Sequence, residues 1–186
     1  MDTSYRASGM RTFYVVWFGQ LVSTFGSGLT AFAVGVWLFQ QTGTVTPLAL
    51  LLLFKTLPVI VLSPFAGALV DRWDRRHVML LADGVAACTT ILLALLFLAG
   101  RVGRWQLYGL VALAAAAETL QVPAFLASVS LLVPEAQYGR ADGMAQVAQA
   151  VADILAPTLA GLLLVTIGVP GVLLIDFATF LVAVAT

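Results

Sequence analysis

Glu118 interrupts an apolar run, 106–127, near its middle. A charged side chain at the centre of a membrane span costs roughly 2.5–3.5 kcal/mol on insertion scales unless it faces water or a partner. With Thr119 and Gln121 beside it, Glu118 is the first candidate for proton coupling or for contact with a cationic substrate. Its structural alternative is a neutral carboxyl hydrogen-bonded between helices. Gln146, Gln149 and Asp153 recur at i, i+3 and i+7, and Gln20, Ser23, Ser27 and Thr30 form a comparable stripe. Each stripe is one helical face expected to point away from lipid, serving either interhelical hydrogen bonds or a polar cavity. Together they point to a cavity shared by the first, fourth and fifth helices. Lys55 could pair with a buried acid, but its long stem lets it snorkel to the surface, and that is the expectation here. Asp83 and Asp176 fall closer to the ends of apolar runs and are expected to be structural.

A second stretch able to do work is 67–76, GALVDRWDRR, where apolar sequence stops in a cluster of charge. Asp71 ends a helix there, and Arg72, Arg75 and Arg76 follow within one or two turns. In that position Asp71 could accept hydrogen bonds from a neighbouring helix N-terminus or an arginine, a latch that holds in one conformation and breaks in another. The alternative is a solvated turn whose arginines fix topology. His77, beside the arginine pair, reads as a solvated interfacial histidine.

The elements that must position these groups are membrane helices. The sequence is 61% hydrophobic and only 10% charged, with a mean hydropathy of +1.03, whereas soluble chains carry about 25% charged residues. About 20 apolar residues cross a bilayer, and six apolar runs are present: 13–39, 47–70, 78–99, 106–127, 143–167 and 172–186. The first is too long for the core of a cleaved signal peptide. The last is still apolar at Thr186 and reads as cut short. Pro58 and Pro64 are tolerable in the second run, where neighbouring helices can satisfy the freed carbonyls. The fold expected is all-α and polytopic.

With the N-terminus cytoplasmic, that side carries Arg6, Arg11, Arg72, Arg75, Arg76 and Arg140, against Arg101 and Arg104 opposite, as the positive-inside rule requires. Pro64 to Gly67 in the second run and Pro157 to Gly161 in the fifth are echoes, each in the last third of a helix. Such placement is what a three-plus-three inverted repeat gives, although Pro and Gly are common in membrane helices generally. Zero net charge offers no basic face for nucleic acid. A single cysteine, Cys88, excludes an internal disulfide and a metal cluster. No GxxxxGK[ST] loop is present to bind ATP, and neither paired acids in one helix nor a His-rich metal set supports an enzyme. No cofactor is expected.

The Gly67-x-x-x-Asp71-Arg72-x-x-Arg75-Arg76 spacing resembles the loop between the second and third helices of the major facilitator superfamily of secondary transporters. The resemblance covers nearly the whole chain, as the first six of that family's usual twelve helices. Asp74 replaces the pattern's second glycine; Asp tolerates a left-handed turn better than most residues. Ala152-x-x-x-Ala156-Pro157-x-x-Ala160-Gly161 resembles the antiporter motif of the family's drug exporters, with alanine at three glycine positions. Small residues every fourth position also allow close helix packing, and Pro157 bends the helix. The family's arginine motif in the fourth helix is missing.

The resemblance implies the N-terminal half of an exporter of the drug and macrolide efflux branch in the cell membrane, moving small amphipathic compounds by alternating access against inward proton flow. The expected partners are a small-molecule substrate, protons, the lipid bilayer, and either a missing C-terminal half or a second copy. The chain is expected to be a fragment, a truncated product or a pairing half. A membrane scaffold without transport of its own is the other class.

Overall fold

The computed structural model describes residues 3–70 and 72–186, with side chains from Met10 onward apart from Ser130; Asp71 therefore lies outside the described residues. Among these residues the structure is all-helical: α1 Thr3–Thr42, α2 Thr46–Val70, α3 Arg75–Leu98, α4 Arg104–Leu132, a single 3-10 turn Glu135–Gln137, and α5 Tyr138–Ala185. All five α-helices are long and apolar enough to cross a membrane.

The helix ends follow from local chemistry. α1 contains no proline and runs unbroken until Gly43, whose φ of 63° closes it, with the Gly43 amide donating to Phe39 O at 2.8 Å. A glycine just past a helix takes this left-handed geometry without a Cβ penalty. Pro47 sits in the first turn of α2, where its missing N–H costs nothing. α3 starts at Asp74, whose carboxylate accepts from the Arg76 amide at 2.9 Å. Its φ of −64° and ψ of 119° are extended, not left-handed. The aspartate in the glycine position of the loop pattern therefore caps a helix, and its tolerance of a left-handed turn is not called on.

α1 packs chiefly on α5, α2 on α4, and α3 bridges α4 and α5. At one end Val34, Leu38, Leu51, Leu93, Leu107 and Leu173 join all five helices in one core. At the other, Phe13, Val133 and Ala141 close the bundle. The outward surface is apolar: Ile60 and Phe65 on α2 are 66% and 68% exposed, and Val165 on α5 is 88% exposed. Such a surface suits lipid, which solvates apolar side chains while the helices satisfy their own backbone.

α5 holds one non-helical residue, Gly168, at φ 69° and ψ −179°. Before it, contacts along α1 run in parallel order: Trp17 Nε1 donates to Met144 O at 3.0 Å, Gly28 faces Ala156, and Gly161 faces Phe32. After it the order is antiparallel: Gly26 faces Asp176 and Thr179, and Gly19 faces Ala183 and Thr186. α1 thus lies against two arms of α5, and the chain reverses direction at Gly168. That backbone region is essentially glycine-only, costing about 1–3 kcal/mol for other residues. Gly168→Ala is expected to lower the thermal midpoint of the purified complete protein in detergent. Gly143→Ala, at a helical position where a Cβ meets nothing within 4 Å, is expected to leave that midpoint unchanged or slightly raised.

Candidate substrate cavity

A cavity of about 510 Å³ opens between α1, α2, α4 and α5, with α3 contributing Ala86 and Thr90. Ligand clefts commonly measure about 300–1,000 Å³ and combine apolar walls with a few placed polar groups. Of the α1 stripe, Gln20, Ser23, Ser27 and Thr30 all line this space. The charged side chains of the lining are Lys55 of α2, Glu118 of α4, and Asp153 and Asp176 of α5. Glu118 is half-buried near the middle of α4. The charge of Lys55 acts on it across the cavity, and Glu118 in turn acts on Asp176. Lys55 is itself exposed.

Two hydrogen-bonded clusters hold the inner wall. Gln121 Nε2 donates to Asp83 Oδ1 at 2.7 Å and to Gln20 Oε1 at 3.1 Å, so one amide ties α3, α4 and α1 together. Asp176 is 1% exposed. Its Oδ2 accepts from Thr30 Oγ1 of α1 at 2.7 Å and from Thr90 Oγ1 of α3 at 3.5 Å. Thr179 Oγ1 donates to the Asp176 backbone O at 2.6 Å and lies 3.4 Å from Oδ1. Asp83 and Asp176, set aside by the sequence pattern, are thus the buried acids of the bundle. The available signal was an acid inside an apolar run. The second arm of α5 also begins straight after Gly168, which puts Asp176 deeper than a helix starting at 172 would.

The α5 stripe is divided. Gln149 Nε2 donates to Asp153 Oδ1 at 2.9 Å, and both line the cavity while remaining exposed. Gln146 donates instead to Asp142 at 2.9 Å and stays outside. In the same helix Ala152, Ala156 and Ala160 are buried, Ala152 at the cavity edge and the other two in one apolar cluster with Leu29 and Ala33 of α1. Pro157 is half-buried behind them. The small residues of this motif therefore pack helices, and Asp153, between them in sequence, turns toward the open space.

In the charged loop, Arg75 Nη1 donates to Ala127 O of α4 at 2.9 Å. Gly67, Arg72 and Arg76 are exposed, and the latch role expected of Asp71 falls outside the described residues. His77 Nδ1 lies 3.5 Å from Asp74 Oδ2, with both side chains largely in solvent. Of the loop's arginines, Arg75 is the one drawn onto a neighbouring helix.

The chain is 32% identical over 151 residues to macrolide efflux protein A of Streptococcus pyogenes, covering 81% of this chain and 37% of that protein. It is 30% identical over 162 residues to the uncharacterized MFS-type transporter YfiS of Bacillus subtilis, with 87% and 38% covered. It is 29% identical over 161 residues to the multidrug efflux pump Tap of Mycolicibacterium fortuitum, with 83% and 39% covered. The chain thus spans less than two-fifths of the length of these relatives. A family model described as Major Facilitator Superfamily matches residues 16–186, and with membrane-length helices enclosing a cavity at the bundle centre, this multi-pass membrane protein belongs to that family.

Proposed function

We propose that this chain forms the N-terminal six-pass bundle of a secondary transporter that exports small amphipathic compounds, macrolides among them, by proton-coupled alternating access. The observation that carries this is the cavity itself, an apolar space with Glu118, Asp153 and Asp176 opposed, among the described residues, by one cation, Lys55. Apolar walls accept the body of an amphipathic molecule, and an excess of acids suits a cationic group or a proton. The relatives named as macrolide and multidrug efflux proteins support the direction and the substrate class. Six passes follow if each arm of α5 crosses once: split at Gly168 and at about 1.5 Å per residue, the first arm, 138–167, reaches about 45 Å and the second, 169–185, about 26 Å, at the short limit of about 17 residues for a crossing. The arginine distribution supports a cytoplasmic N-terminus, and a second bundle completes the rocking unit.

The test uses the complete protein in bacteria lacking their own efflux pumps. Expression is expected to raise macrolide tolerance several-fold and to lower erythromycin accumulation, and a protonophore is expected to remove both effects. Unchanged accumulation in cells where the protein is inserted in the membrane would overturn the export reading. Export that survives the protonophore would overturn proton coupling alone.

A further inference from the structure

We propose that Asp176, on the second arm of α5, is a proton-carrying site of this transporter, working beside Glu118 and switching the contact between α1, α3 and that arm. The inference rests on the proton-coupled reading above and adds to it a residue on a helix that supplies little else to the cavity.

The environment of Asp176 is specific. It is 1% exposed yet lines the cavity, so a proton can reach a carboxyl that is otherwise enclosed by protein. The ionisable and charged groups facing this space are Lys55 of α2, Glu118 of α4, and Asp153 on the first arm of α5; α1 and α3 present hydroxyl, amide and apolar groups to it. No cation is within ion-pair distance of Asp176 among the described residues. Its side-chain partners are the hydroxyls of Thr30, Thr90 and Thr179. An ammonium or guanidinium can only donate, and would hold the carboxylate in its charged form. A hydroxyl both donates and accepts, so the same shell serves either form. In the ionised form Thr30 and Thr90 donate to Oδ2. In the neutral form the Oδ2 proton donates to one of them while the other still donates to Oδ2.

The step is a bare proton transfer. An O–H bond forms at the carboxylate with a proton arriving through the cavity, and that bond breaks when the proton leaves; no other bond changes. Its mechanical consequence follows from Gly26. A Cβ at that position would stand 2.7 Å from Asp176 Oδ1, so the α1 backbone lies directly against the carboxyl. Adding or removing one proton re-sorts the hydroxyl bonds that join α1 and α3 to this arm.

The deciding measurement is pH-difference infrared spectroscopy on the complete protein in lipid, paired with dye-detected proton release on adding erythromycin. Asp176→Asn keeps the side-chain shape and removes the proton. It is expected to lose one protonated-carboxyl band that the unsubstituted protein gains as pH falls, and to lose about half of the substrate-linked proton release. Thr30→Val is expected to shift that band without abolishing it, and Thr30→Ser to restore its position, which gives a readout should Asp176→Asn fold poorly. An Asp176→Asn spectrum and proton release identical to those of the unsubstituted protein would overturn the inference while leaving proton-coupled export intact. Absence of substrate-linked release in the unsubstituted protein would remove proton coupling itself, and this inference with it.

Discussion

Glu118→Gln is expected to reduce pH-gradient-driven export by the complete protein to background while leaving substrate counterflow in place. Glutamine preserves the volume and most of the hydrogen-bonding capacity of the side chain and removes its proton and charge. Glu118 stands mid-helix in α4, half-buried, on a cavity wall, with Lys55 as the opposite charge acting on it. A gradient can drive transport only if some group binds a proton on one side and releases it on the other. Exchange of labelled for unlabelled substrate needs alternating access alone, which a permanently neutral side chain permits. Proteoliposomes separate the two: an imposed pH gradient measures drive, and preloaded unlabelled erythromycin measures exchange. Glu118→Asp, with a titratable group one methylene shorter, is expected to recover part of the driven rate. Asp71→Asn, in the charged loop, is expected to slow driven transport and exchange together, because a latch acts on the conformational step that both share. If Glu118→Gln and Asp71→Asn both export at the unsubstituted rate, the mechanism proposed here is wrong.

Much of the architecture was legible because membrane helices announce themselves by length and hydropathy, and because charge clusters mark the turns between them. The loop at 67–76 and the α1 stripe were read directly: regular spacing on a helix fixes a face, and a polar face on a membrane helix has to turn inward. Lone acids were harder. Asp83 and Asp176 belong to no stripe, and their partners Gln121, Thr30 and Thr90 lie on other helices at sequence distances that no periodicity encodes. Depth was misjudged for a related reason. Gly168-Val169-Pro170-Gly171 reads as a four-residue turn with a helix restarting near Val172, whereas Gly168 is the one non-helical residue of α5 and the second arm begins straight after it. Asp74 illustrates the opposite limit: its position in the motif was plain, but whether it turns the chain or caps α3 is decided by backbone angles. Asp71 stays where the sequence left it, a residue whose spacing suggests a latch.

Gly26→Leu is expected to prevent the complete protein from reaching a stable folded state, whereas Gly109→Leu is expected to fold normally. Both sites are glycines inside long helices, so helix propensity alone favours each substitution by about 0.5–1 kcal/mol. Contact decides between them. At Gly109 a Cβ meets nothing within 4 Å, while at Gly26 it would stand 2.7 Å from Asp176 Oδ1 and 3.0 Å from Thr179 Cβ. Overpacking typically costs about 1–3 kcal/mol where neighbours can shift. Here the neighbour is a buried carboxyl held by hydroxyls from α1 and α3, so making room also breaks those bonds, at about 1–3 kcal/mol for each polar group left unpaired. Leucine adds further carbons on the same vector, which only separation of α1 from the second arm of α5 can accommodate. Against total stabilities of about 5–15 kcal/mol, that combination is expected to abolish the monodisperse peak in fluorescence-detected size exclusion. Gly26→Ala is expected to keep the peak and lower its thermal midpoint. A Gly26→Leu protein that elutes and melts like Gly109→Leu would mean that α1 and the second arm do not meet at this point, and the hydroxyl shell assigned to Asp176 would lose its basis.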